Sequence, residues 1–124
     1  MSHFTTIKVQ IKESKTLCEV LGEIGYKVET NTQVRGYNGN KTTAEYVIRQ
    51  SNGYDIGFRR QGENYEIVAD FWGAKINQQQ FVEEITQKYA HKTLKKSLKQ
   101  EGFTIETEET LEDGTVRVVV GKWV

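Results

Sequence analysis

Residues 42–71 read TTAEYVIRQSNGYDIGFRRQGENYEIVADF, and the reading of this stretch decides the fold. Three runs, Thr42–Gln50, Tyr54–Gln61 and Tyr65–Phe71, alternate apolar and polar positions with the period of two that a strand presents. Ala44/Tyr46/Ile48, Tyr54/Ile56/Phe58 and Tyr65/Ile67/Ala69/Phe71 are the expected core faces. The links Ser51-Asn52-Gly53 and Gly62-Glu63-Asn64 are short and carry glycine, as hairpin loops do. The stretch therefore predicts an antiparallel meander. Its other face carries Glu45, Arg49, Asp55, Arg59, Glu66 and Asp70. These read as exposed cross-strand pairs, each contributing a few tenths to about 1 kcal/mol. A working carboxylate pair, Asp55 with Asp70 or Glu66, is the alternative, and with no histidine or cysteine nearby general acid–base chemistry is poorly supported.

Just upstream, residues 36–43 read GYNGNKTT. Two glycines, a lysine and threonines invite a phosphate-loop reading. That loop needs G-x-x-x-x-G-K-[ST] leading into a helix, so that backbone N–H groups and the helix N-terminus wrap the phosphates. Here Asn40 separates Gly39 from Lys41, and TTAEYVIRQ continues as a strand. Asn38-Gly39 tolerates positive φ at both residues and predicts a tight turn instead.

Working outward, Phe4–Ile11 reads as a strand with Thr5, Ile7, Val9 and Ile11 on one face. Ser14–Ile24 reads as a helix with Leu17, Val20, Leu21 and Ile24 as its buried stripe, Ser14 as N-cap and Gly25 as stop. Tyr26–Thr30 and Gln33–Tyr37 are weaker strand segments, counted together as one element. A long helix over Asn77–Gln100 carries Phe81, Val82, Ile85, Tyr89, Ala90, Leu94 and Leu98 on its apolar face, and Gly102 ends it. A last hairpin joins Phe103–Thr110 to Thr115–Trp123 through Glu112-Asp113-Gly114. The order β-α-β-β-β-β-α-β-β indicates an α+β single domain: a largely antiparallel sheet with two helices packed on one face.

A chain of 124 residues is the size of one domain. The lone Cys18 cannot close an internal disulfide, which argues for a reducing compartment. No apolar run is long enough to span a membrane. The N-terminus alternates polar and apolar residues, unlike a secretory signal. With 17 basic and 17 acidic residues the net charge is zero, so bulk electrostatics argue against nucleic acid as a partner.

Charge is nevertheless segregated. Lys88, His91, Lys92, Lys95, Lys96 and Lys99 crowd the second helix with no acid among them. Glu101, Glu106, Glu108, Glu109, Glu112 and Asp113 follow at once. Two readings compete: a docking face for an acidic partner, or a solvated face paired with the acidic hairpin. His3, Cys18 and His91 lie in separate elements without zinc-site spacing, so no metal site is expected. Cys18 borders a buried stripe and reads as a small core residue. Trp72 and Trp123 read as core plugs; exposed together, they would instead mark a protein-binding patch.

The segments MSHFTTIKVQI, VRGYNG, TAEYVI, YDIGF, YEIVADFW, FVEEITQKYA and DGTVRVVVGKW run the length of the chain. In that order they resemble the hypothetical chloroplast reading frame thirty-five family, a small protein of cyanobacteria and algal plastids also described as a domain of unknown function. The resemblance brings no catalytic, cofactor or metal residue with it. It implies the cyanobacterial cytosol or plastid stroma, and gene neighbourhoods holding a ferredoxin-like protein and an AAA-type ATPase. The expectation is a soluble, non-enzymatic accessory or assembly factor that binds another protein, linked to redox or photosynthetic machinery. The alternative is a small-molecule or nucleotide-binding protein, with enzymatic chemistry open, whose site lies between the second helix and the sheet near Arg35, Tyr37 and Tyr54. Those three form a candidate functional corner, since a turn at Asn38-Gly39 requires neither Arg35 nor Tyr37.

Overall fold

A computed structural model describes residues 3–122. In chain order the elements are β1 (Thr5–Lys8), α1 (Ser14–Ile24), β2 (Val28–Arg35), a 3-10 turn (Tyr37–Gly39), β3 (Lys41–Ile48), β4 (Ile56–Gln61), β5 (Asn64–Ala69), α2 (Phe71–Ala74), α3 (Gln78–Gln100), β6 (Phe103–Thr110) and β7 (Val116–Lys122). Strands β1 to β5 form an antiparallel sheet of order β1-β5-β4-β3-β2, and β6 and β7 pair separately. The α+β class read from the sequence holds.

The main core lies between one sheet face and the two long helices. Leu17, Val20 and Leu21 of α1 and Phe81, Ile85 and Tyr89 of α3 pack on Ile48, Ile56, Phe58, Tyr65 and Ile67. Each fully buried side chain of this size contributes about 1.5–3 kcal/mol, which makes this layer the main stabilising element. The Tyr89 hydroxyl accepts the backbone N–H of Lys12 and Glu13 at 3.1 and 3.0 Å, tying α3 to the start of α1. Ser14 is the first residue of α1 rather than its cap. Glu13 holds the cap position without a capping hydrogen bond, and the Ser14 hydroxyl donates to Glu45 at 3.1 Å.

The two strand segments expected at 26–37 are one strand, β2, with Asn31 at φ 50° inside it. β2 and β3 stay in register through that point, but the alternation of side chains resets. Ala44, expected beside Tyr46 and Ile48, instead packs with Val34, Val47 and Val68 in a second cluster on the other sheet face, with Phe4 against it. Glu45 turns toward the helices, where the Tyr65 hydroxyl donates to it.

The face expected to be a bare charged surface is therefore covered. Asp55, Glu66 and Asp70 are buried, at 0%, 5% and 1% exposure. Arg59 does pair across the ladder with Glu66, Nε to Oε1 2.5 Å. Asp70 is no sheet residue at all: it caps α2, its Oδ1 accepting the Gly73 N–H at 3.2 Å. That cap stops β5 at Ala69 and leaves Trp72, the expected core plug, 76% exposed.

Asn77 caps α3 through the Gln80 N–H. Only the first half of the α3 stripe is buried. Ala90 and Leu94 are exposed because the helix runs past the sheet and meets the β6–β7 hairpin instead. The expected partner of Trp72, Trp123, lies outside the described residues.

Candidate functional site

The six basic residues read from the sequence come together along α3. At about 100° per residue, Lys88 and Lys99 sit near the middle of a face roughly 140° wide, with His91 and Lys95 on one flank and Lys92 and Lys96 on the other. These six, with Glu23 and Ile24, line an open groove of about 340 Å³.

Both flanks are neutralised. Lys92 bonds Glu23 and lies 3.8 Å from Glu19, while Lys96 reaches Glu19 at 2.8 Å and the Thr16 hydroxyl at 3.0 Å. As α3 advances its partners on α1 recede, so the helices run antiparallel here. On the other flank Glu108 of β6 lies 2.7 Å from His91 and 3.3 Å from Lys95. The hydrogen bond from Lys96 holds the Glu19 carboxyl below its ordinary range, and that to Glu23 holds the Lys92 ammonium above its own. Glu19, Glu23 and Glu108 engage Lys92, Lys95 and Lys96, while Lys88 and Lys99, on the centre line of the groove, have no carboxylate within 4 Å among the described residues. Exposed pairs of this kind are worth up to about 1 kcal/mol each, so an outside anion can compete for them.

The acids on α1 were not singled out in the sequence. Glu19 and Glu23 are spaced i, i+4, the same interval as Lys92 and Lys96, and that matched spacing was the available signal.

The second candidate corner is built around a buried carboxylate. Asp55 Oδ2 accepts from Arg35 Nε at 2.7 Å, Arg49 Nη1 at 2.6 Å and the Arg35 backbone N–H at 3.0 Å. Its Oδ1 accepts from Arg35 Nη2 at 2.9 Å and the Gln50 N–H at 3.1 Å. Burial pushes the Asp55 carboxyl up, but the bonds from Arg35, Gln50 and Arg49 outweigh it and hold the pKa at about 2. Arg49 also bonds Glu29, the Gln33 carbonyl and the Thr32 hydroxyl.

Of the three residues expected at this corner, Arg35 joins the network and Tyr54 is tied to it through Gln50, whose side-chain amide donates to the Tyr54 carbonyl at 2.7 Å. Tyr54 also lies against Gly73, where a Cβ would come within 2.0 Å of its ring. Tyr37 stands apart, 46% exposed in the turn. That turn has the expected form: Asn38 and Gly39 take φ 54° and 78°, and the Gly36 N–H donates to the Asn40 carbonyl at 2.8 Å. Arg35 lines a pocket of about 270 Å³ with Thr32, Gln33, Lys41 and Arg49, separate from the α3 groove.

Among the described residues no three His, Cys, Asp or Glu side chains are grouped to hold a metal. Cys18 is half-buried rather than a core residue, because it flanks the α1 stripe instead of lying in it.

Fold and site define a small α+β protein whose long helix offers a cationic groove, and whose sheet edge carries an arginine pair on one buried aspartate. A family profile described as "Protein of unknown function (DUF1257)" matches residues 20–119, and the chain belongs to that family. The "Uncharacterized protein ycf35" of Guillardia theta is 35% identical over 99% of this chain and 98% of its own length. The proteins of the same name from Cyanophora paradoxa and Pyropia yezoensis are 29% and 28% identical, each over 99% of this chain and 98% of its own. These relatives are plastid-encoded, in keeping with the resemblance read from the sequence. No solved structure matches the chain. No helix among the described residues is long and apolar enough to cross a membrane.

Proposed function

We propose that this protein is a non-enzymatic accessory module that docks an acidic segment of a partner protein along α3. The reading rests on one observation: among the described residues Lys88 and Lys99 have no carboxylate within 4 Å, in the middle of a groove whose other lysines are already paired. An acidic segment laid along this face meets those two charges first. It can then exchange with Glu19, Glu23 and Glu108 for the flanking lysines. The work is done in the cyanobacterial cytosol or plastid stroma, in the service of redox or photosynthetic machinery. The plastid-encoded relatives support that setting.

Carbodiimide cross-linking during affinity capture from a cyanobacterial or plastid extract tests the reading, because it joins a lysine amine directly to a carboxylate in contact with it. Cross-links from Lys88 and Lys99 to an Asp/Glu-rich segment of one reproducible partner are expected. Cross-links confined to other faces of the protein, or no reproducible partner, would contradict it.

A further inference from the structure

The pocket at the β2–β3 end of the sheet carries chemistry of its own. Arg35 and Lys41 are register partners across the ladder, held there by the Gly36–Asn40 turn. Like charges directly opposite each other on a ladder are destabilising. Arg49 brings a third cation to the same pocket, and Thr32 and Gln33 bring a hydroxyl and an amide. Asp55 and Glu29 account for two of the three positive charges. The third is unbalanced.

A count of donors leads to the same place. Arg35 spends Nε and Nη2 on Asp55 and the Gln50 carbonyl, leaving Nη1 without a partner among the described residues. Lys41 has none there either. The bonds to Asp55 fix both guanidinium groups in place before any ligand arrives, which lowers the ordering cost of binding. The volume of about 270 Å³ is several times the roughly 30 Å³ share of one water, room enough for a tetrahedral oxyanion with a small organic remainder.

From this juxtaposition we propose that the pocket formed by Thr32, Gln33, Arg35, Lys41 and Arg49 binds a phosphate-type oxyanion, free or as the monoester of a small molecule. Arg35 Nη1 and Lys41 Nζ supply the charge-assisted hydrogen bonds, and the anion relieves the Arg35–Lys41 repulsion. Glu29, which holds Arg49 Nε at 2.8 Å, is the carboxylate the anion works against. The site shares no residue with the α3 groove, so it stands or falls independently of the docking reading.

The test is a titration of the full chain with inorganic phosphate and with glycerol 3-phosphate, against sodium chloride of equal ionic strength, followed by backbone amide NMR. Saturable shifts at Thr32, Arg35 and Lys41 are expected with at least one of the two. Equal affinity would identify free phosphate as sufficient, and tighter monoester binding would identify a small organophosphate. Lys41→Gln removes a cation with no partner among the described residues and should weaken binding about tenfold, the scale of one charge-assisted hydrogen bond. Glu29→Gln should tighten it, and K92Q/K96Q should leave it unchanged. Shifts confined to α3, no saturation with either probe, or an unchanged affinity in Lys41→Gln would overturn the proposal.

Discussion

Replacing Asp55 by Asn should separate a charge held in the fold from a mere hydrogen-bonding link. Asp55 is fully buried and accepts five hydrogen bonds, three of them from guanidinium groups. An amide keeps one acceptor oxygen and turns its NH₂ toward donors, leaving Arg35 and Arg49 facing each other without their shared anion. Arg35 and Arg49 are 43% and 28% exposed, so water can take up part of the lost interaction, and the change should cost about 1–3 kcal/mol. With total stability of roughly 5–15 kcal/mol, that is a large share.

The pH dependence gives a second, independent magnitude. The folded carboxyl titrates at about 2 against an ordinary 3.8. Its contribution is therefore complete above the unfolded value and is lost as pH falls through the folded one. The interval corresponds to about 2 kcal/mol, lost progressively between about pH 5 and pH 1. Glu19 and Asp113, also held below their ordinary range, destabilise both proteins alike in acid, so the difference between wild type and variant isolates Asp55. Urea unfolding at pH 7 and pH 2.5 is the assay. The variant midpoint should fall by roughly 0.3–3 M at pH 7, the loss of about 1–3 kcal/mol divided by a slope of about 1–3 kcal/mol per molar. The gap between the two proteins should narrow in acid. A variant as stable as wild type at pH 7, or two parallel acid profiles, would refute the reasoning.

Two further outcomes follow from the packing. Gly57→Ala places a Cβ 2.4 Å from Val34 Cγ2 and 2.9 Å from Ala44 in the second cluster; overpacking there should cost about 1–3 kcal/mol, read as a lower Tm in calorimetry, and an unchanged Tm would contradict the close approach. Tyr89→Phe leaves the N–H groups of Lys12 and Glu13 without their acceptor and should cost about 1–3 kcal/mol in chemical unfolding, with amide exchange at those two positions accelerating before the rest of α1.

The meander was legible because a period of two and an Asn-Gly turn are local properties of the chain, and each link in it carries a glycine. Both long helices were legible from their stripes, α1 with the bounds the sequence indicated. The reset at Asn31 was not, because a residue that tolerates positive φ looks the same in a turn and inside a strand. Nor was the burial of Asp55, Glu66 and Asp70. An alternating charged face reads alike whether it is bare or covered, and here Phe4 and Val34 help to cover it from elsewhere in the chain. At the site, the run of cations on α3 was plain. Which of them are spent was not, because Lys92 finds Glu23 across 69 positions of sequence. Arg35 was singled out, yet Lys41 and Arg49, which share its pocket, were seen only as a turn flank and a surface charge.

The docking reading is tested most directly by the affinity of the captured acidic segment, as a synthetic peptide, for wild type and for K88E/K99E. Neither lysine has a carboxylate partner within 4 Å among the described residues, so the variant should stay folded, with only the small drop in Tm expected from an acid in the last turn of α3 and another one turn from Glu84. Reversing two charges at the centre of the groove should weaken binding at least tenfold, about 1.4 kcal/mol, with a shallower salt dependence. Equal affinity in a folded variant would place the partner elsewhere and contradict the account.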